Sequence, residues 1–120
     1  IIENGGSYYL PKMIGLGRAL EFAYTGQMDA QTAYQWGVLN HLVCADELGS
    51  FTRDLCERML KIPPLVQWNS KRIMRAALDS SIETTMVLTS NAGGILQSSE
   101  DAHEAKRAFV EKRQPKFNGT

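Results

Sequence analysis

The sequence predicts a turn-rich α/β opening over residues 1–44 and an all-helical remainder over 45–120. Three observations predict it. Glycine, proline and asparagine punctuate the first third at short intervals. The one convincing β-favouring run, Val38-Leu39-Asn40-His41-Leu42-Val43, closes that third. Beyond Ala45, apolar residues recur at steps of three and four, the spacing of a helix face.

Taken in order, Asn4-Gly5-Gly6-Ser7 is a turn that feeds a short helix through Tyr8, Tyr9 and Leu10, which Pro11 is expected to end or redirect. Leu16, Ala19, Leu20 and Ala23 define a second helix, stopped by Gly26. Asp29 caps a third that runs through Trp36 and closes at Gly37. Leu48, Phe51, Leu55, Met59 and Ile62 form one apolar stripe, broken at Pro63-Pro64, where the next helix opens. That helix carries Leu65, Trp68, Ile73 and Ala77 among Lys71, Arg72 and Arg75. Ser80 and Glu83 read as a capping box, as do Asp101 and Glu104, with the last helix running to about Arg113 and Pro115 ending it.

The helix after Ser80 carries two apolar seams. Ile82, Met86, Thr89, Gly93 and Leu96 make one; Leu88, Ala92, Ile95 and Ser99 make the other. Two seams predict a helix covered round much of its circumference, inside an assembly. Gly93-Gly94 costs about 2 kcal/mol against two alanines in a helix interior. Either another backbone approaches closely there, or the helix breaks.

Bulk properties exclude several classes. Apolar residues at 43% and charged residues at 22% suit a globular chain, not a disordered or fibrous one. Thirteen basic residues balance thirteen acidic ones, so no net field draws nucleic acid or an anionic membrane. No apolar run approaches the length of a bilayer span. Cys44, Cys56, His41 and His103 make no zinc spacing, and the cysteines are expected as reduced, largely buried thiols of an intracellular, cytoplasmic protein. In a eukaryotic cell the matching compartments are the mitochondrial matrix or the peroxisome. Asn118-Gly119-Thr120 matches the glycosylation tripeptide, a match frequent by chance. The chain begins at Ile1-Ile2-Glu3 without a signal peptide or a methionine and is expected to be a cut end.

Three stretches carry a resemblance. Gly5-Gly6-Ser7-Tyr8-Tyr9-Leu10-Pro11-Lys12, with Gly15 and Arg18-Ala19, is the first. Thr25-Gly26 through Ala30, Ala33, Gly37 and Val38 is the second. Asp101 and Glu104 through Ala108-Phe109, Glu111-Lys112-Arg113, Pro115 and Phe117 is the third. In this order, with Lys71 in the helix between, they resemble the enoyl-CoA hydratase/isomerase (crotonase) family across nearly the whole chain. The resemblance implies the C-terminal part of an α/β crotonase-like fold, a spiral of β-β-α repeats. Residues 1–44 would form the edge of the core with part of an acyl-CoA pocket, and residues 45–120 a helical oligomerisation domain. It further implies an acyl-CoA thioester as substrate, a thioester enolate held by two backbone N–H groups upstream of Ile1, and a homotrimer or hexamer. No separate cofactor or metal is implied, coenzyme A being part of the substrate.

The same resemblance singles out Glu3 as the catalytic residue. In family hydratases the position two before the glycine pair is typically glycine; in several isomerases and dehalogenases it is Asp or Glu acting on the acyl group. A double-bond shift needs one base that removes a proton from carbon two and can return it at carbon four. One carboxylate suffices, and an apolar pocket favours its proton-carrying form. The plainer reading of Glu3 is a carboxylate at the N-terminus of the Gly5-Gly6 helix. Gly5 and Gly6 either let a flat thioester lie against the backbone or simply make a tight turn. Tyr8 lines the acyl pocket or packs beneath it. Phe109 and Lys112 match positions that can reach the coenzyme A nucleotide, although a lysine near a helix C-terminus is also favoured by the dipole. Gly93 departs from the pattern, standing where some family hydratases have an aromatic that helps hold the adenine. Alternatives are a hydratase, hydrolase or dehalogenase whose decisive carboxylates lie upstream, and a helical oligomerisation module without catalysis.

Overall fold

A computed structural model describes residues 2–120. Among them seven α-helices follow one another: α1 (Gly6–Ile14), α2 (Leu16–Thr25), α3 (Ala30–Gln35), α4 (Leu48–Leu60), α5 (Pro64–Ala77), α6 (Ile82–Gln97) and α7 (Glu100–Val110). The chain divides into two compact units, one up to Gly49 and the other from Ser50 to Thr120.

In the first unit α1 packs on α2. Pro11 lies inside α1 instead of ending it. The proline removes the hydrogen bond to the Ser7 carbonyl, and Ser7 is exposed, so water can serve that oxygen. Asp29 caps α3 as expected, its carboxylate accepting from the Thr32 N–H at 2.7 Å, and this hydrogen bond holds the Asp29 carboxyl below its ordinary range. The segment 38–43 is not a strand; no strand occurs among the described residues. Two of its donors are already taken, since the Val38 and Leu39 N–H groups both bond the Ala33 carbonyl at the end of α3, at 2.8 and 3.2 Å. A ladder also needs a second extended segment beside it, and among the described residues none pairs with 38–43.

In the second unit α6 packs on α5 and α7 on α6. Pro64 stands in the first turn of α5, as the sequence predicts. Across the Pro63-Pro64 break, the Gln67 amide donates to the Met59 and Ile62 carbonyls at 2.7 and 2.9 Å, satisfying orphan acceptors near the end of α4. Two capping assignments shift. Ser81, not Ser80, caps α6 by accepting from the Thr84 N–H, while the Ser80 hydroxyl turns back to the Ala76 carbonyl at 2.8 Å. Ser99, not Asp101, caps α7 by accepting from the Ala102 N–H at 3.1 Å. α6 runs unbroken through Gly93 and Gly94, and a Cβ at either glycine would meet nothing within 4 Å. Among the described residues of this unit, none therefore makes a close approach there.

The core is thin. Apart from Ile14, the buried apolar residues among those described are alanines: Ala19, Ala33, Ala92 and Ala108. Large apolar side chains stay exposed, including Ile82 at 71% and Ile95 at 67% on α6. Both Cys44 and Cys56 are free thiols but exposed rather than buried. Cys44 lies in an irregular segment, and Cys56 stands off the half-buried Phe51 and Leu55 face of α4. No helix is long and apolar enough to cross a membrane.

Candidate functional site

The predicted site residues fall into two groups, one in each unit. Glu3, Gly5, Gly6 and Tyr8 share the turn that opens α1. The Gly6 N–H donates to the Glu3 carbonyl at 3.0 Å. Between them Asn4 (φ 55°) and Gly5 (φ 83°) are both left-handed, the pattern of a type I′ turn that Asn-Gly favours. A Cβ on Gly6 would collide with the Ile2 side chain. Both glycines are thus demanded locally, Gly5 by its dihedral and Gly6 by that close approach. Glu3 is exposed. The apolar groove in the first unit, about 260 Å³, is lined by Ile2, Ser7, Pro11, Leu16, Leu20 and Ala23 among others, not by Glu3. Among the described residues this carboxylate is exposed rather than enclosed in the apolar pocket expected for it.

Tyr8 is partly engaged. Its ring meets that of Tyr9 edge-on at 4.9 Å. One turn on, the Lys12 ammonium donates to the Tyr8 hydroxyl at 3.1 Å and lies 4.2 Å from the ring centroid. With 39% of its surface exposed, Tyr8 packs on its own helix and keeps a free flank.

Phe109 and Lys112 stand at the end of α7. Phe109 is 86% exposed. The helix stops at Val110, three residues before the expected end, and Pro115 plays no part in stopping it. Instead the Arg113 N–H bonds the Ala108 carbonyl at 3.0 Å and the Lys112 N–H bonds that of Phe109 at 3.3 Å. These are the two hydrogen bonds of a Schellman cap, and they hold Lys112 at φ 52°. A non-glycine residue in that region is uncommon.

Sequence reasoning missed what surrounds Lys112. Asp101 is 2% exposed, and its carboxylate accepts from the Asn118 and Gly119 N–H groups at 2.8 and 3.0 Å. Its own N–H donates to the Thr120 carbonyl. Glu104 accepts a two-pronged contact from the Arg113 guanidinium at 2.5 and 3.0 Å. It also accepts from the Lys116 N–H at 3.0 Å and from Arg107 at 3.4 Å. The Arg113 hydrogen bonds, and next that of Lys116, hold the Glu104 carboxyl at about 2, and Glu104 in turn raises the Arg113 guanidinium. A charged groove of about 350 Å³ runs along this cluster, lined by Glu100, Asp101, Glu104, Arg107, Arg113 and Lys116 together with Asn118. The D-x-x-E spacing was the available signal, but it points equally to a capping box. On α5, Arg72 stacks over Trp68 at 5.1 Å beside Lys71 and Arg75. Among the described residues, no cluster of His, Cys, Asp and Glu could hold a metal ion.

The profile of the family described as Enoyl-CoA hydratase/isomerase matches residues 1–120. A carnitinyl-CoA dehydratase of Proteus mirabilis (strain HI4320) is 36% identical over 124 residues, covering 98% of this chain and 47% of that protein. The chain thus spans about half the length of the curated relatives it matches. Among solved structures, an enoyl-CoA hydratase from Bacillus anthracis superposes with a TM-score of 0.88 at 28% identity, over 97% of this chain and 45% of that one. One from Mycobacterium tuberculosis H37Rv gives 0.85 at 30% identity, over 97% and 46%. The described helices therefore have the crotonase fold of these structures, and the chain belongs to the enoyl-CoA hydratase/isomerase family.

Proposed function

We propose that the protein to which this chain belongs acts on acyl-CoA thioesters and shifts the double bond of an enoyl group, with Glu3 as general base. The carrying observation is the placement of Glu3. Its backbone is fixed in the type I′ turn two residues ahead of the glycine pair, where the family pattern puts a group that acts on the acyl chain. A carboxylate on so rigid a support can take a proton from carbon two and return it at carbon four of the planar dienolate without moving its own backbone. The remaining half of the fold would enclose Glu3 and supply the two N–H donors that stabilise the enolate oxygen. Gly5, Gly6 and Tyr8 line the acyl side, while Lys112 and Phe109 reach the coenzyme A nucleotide. No separate cofactor is required. The exposed Ile82 and Met86 on one seam of α6, the exposed Ile95 on the other, and the open space at Gly93 and Gly94 support a homotrimer or hexamer assembled through the helices.

In the full-length protein, Glu3→Gln should lower the rate of conversion of a 3-enoyl-CoA to its 2-enoyl isomer by about a hundredfold or more. Retention of most of the activity would remove Glu3 from the mechanism. A second reading, reversible addition of water, is favoured by what the relatives are named: a carnitinyl-CoA dehydratase and enoyl-CoA hydratases. Incubating the full-length protein with a 2-enoyl-CoA decides between them, since only this second activity yields a 3-hydroxyacyl product.

A further inference from the structure

We propose that Glu104 is a positioning residue for Lys112: by holding Arg113 and the Lys116 amide, it fixes the backbone on which the lysine ammonium is presented to the coenzyme A phosphates. This inference rests on the reading of Lys112 as a nucleotide contact. The backbone at Lys112 is left-handed, φ 52°, a conformation that costs an ordinary residue free energy and persists only where its surroundings over-determine it. Here two sets of contacts do so. On the helix side stand the two Schellman hydrogen bonds, from Lys112 to Phe109 and from Arg113 to Ala108. On the tail side stands Glu104, whose oxygens grip the guanidinium of the very next residue at two points and the N–H four residues on.

Glu104 is suited to the role. Its side chain is 13% exposed, against 39% for Arg113, so the pair is partly sheltered. The paired fork geometry fixes direction as well as distance. Glu111 takes the remaining Arg113 Nε donor at 2.6 Å. Asp101 then ties down the chain end beyond, at Asn118 and Gly119. The Lys112 side chain stays exposed while its backbone is held from both directions. A flexible lysine on a fixed support loses less freedom on meeting a phosphate than one on a mobile tail.

The test is a double-mutant cycle in the full-length protein, with the dissociation constant for free coenzyme A measured by titration calorimetry and the kinetics of the acyl-CoA reaction alongside. Lys112→Ala should weaken coenzyme A binding about tenfold. Glu104→Gln should weaken it about fivefold, the loss falling on KM rather than kcat. The double variant should bind no more weakly than Lys112→Ala alone. Arg113→Lys, which keeps the charge and severs the two-pronged contact, carries the same expectation should Glu104→Gln not accumulate as folded protein. Additive losses in the double variant, or undiminished affinity in a folded Glu104→Gln or Arg113→Lys, would overturn the positioning role while leaving Lys112 as a ligand. Normal coenzyme A binding by Lys112→Ala would remove the nucleotide contact itself, and the positioning role with it.

Discussion

Two helix ends in this chain close with the same pair of hydrogen bonds and different residues. At α3 the left-handed position is Gly37, φ 81°, and at α7 it is Lys112, φ 52°. Only the first is free of steric cost. Lys112→Gly should therefore raise the unfolding free energy of the full-length protein by about 1 kcal/mol, and Gly37→Ala should lower it by a similar amount, both read from denaturant melts. Glu104 gives a pH dependence. Its carboxyl is depressed from the ordinary 4.5 to about 2, so its contribution is fully present above pH 4.5 and is lost as the pH falls from there toward 2. Arg113 keeps its charge over that range. Amide exchange at the Lys116 N–H should consequently accelerate, relative to the intrinsic rate, only below pH about 4.5; unchanged protection at pH 2.5 would contradict the assignment. Little of this was legible. Arg113 lies nine residues beyond Glu104, outside the three- and four-residue spacings by which helical ion pairs are recognised, because the cap at Lys112 turns the chain back.

At the scale of elements, the helices were legible and their ends less so. α2 and α3 stop and start where Gly26 and Asp29 predict, since those signals act within a few residues. The doublet Ser80-Ser81 defeated assignment because both members are competent caps, and at α7 the Asp101–Glu104 spacing drew the assignment two residues past Ser99. Ser80 closes α5 and Ser81 opens α6; Ser98 bonds the Ile95 carbonyl, and Ser99 bonds Leu96 while opening α7. Ser81→Ala and Ser99→Ala should each cost about 1 kcal/mol, whereas Ser80→Ala, which removes only a hydroxyl bond to the Ala76 carbonyl and leaves no helix donor orphaned, should cost markedly less. Equal losses from Ser80→Ala and Ser81→Ala would reverse that assignment. The segment 38–43 shows the limit of local pattern: β-favouring residues make a strand only where a partner strand is at hand.

For the molecule as a whole, the family and its helical frame could be read from three stretches of sequence, while the site could be read only in part. The sequence singles out Glu3 and the glycine pair, and they share one turn, but among the described residues Glu3 is exposed rather than enclosed. The thin alanine core and the exposed Ile82, Met86 and Ile95 carry a physical consequence. Expressed alone, the 120-residue chain should self-associate, since apolar surface on this scale is rarely left to water. Sedimentation of a single monomeric species at micromolar concentration would contradict that expectation. The tightness of the α6–α7 joint reaches further. Only Ser98 and Ser99 separate the two helices, and both are engaged. One inserted residue would swing everything downstream by about 100° round the helix axis, carrying Asp101 and Glu104 away from the chain end they hold. Natural length changes in this family are accordingly expected to avoid that corner and to gather in the irregular stretch at 39–47, where a gained or lost residue disturbs no register.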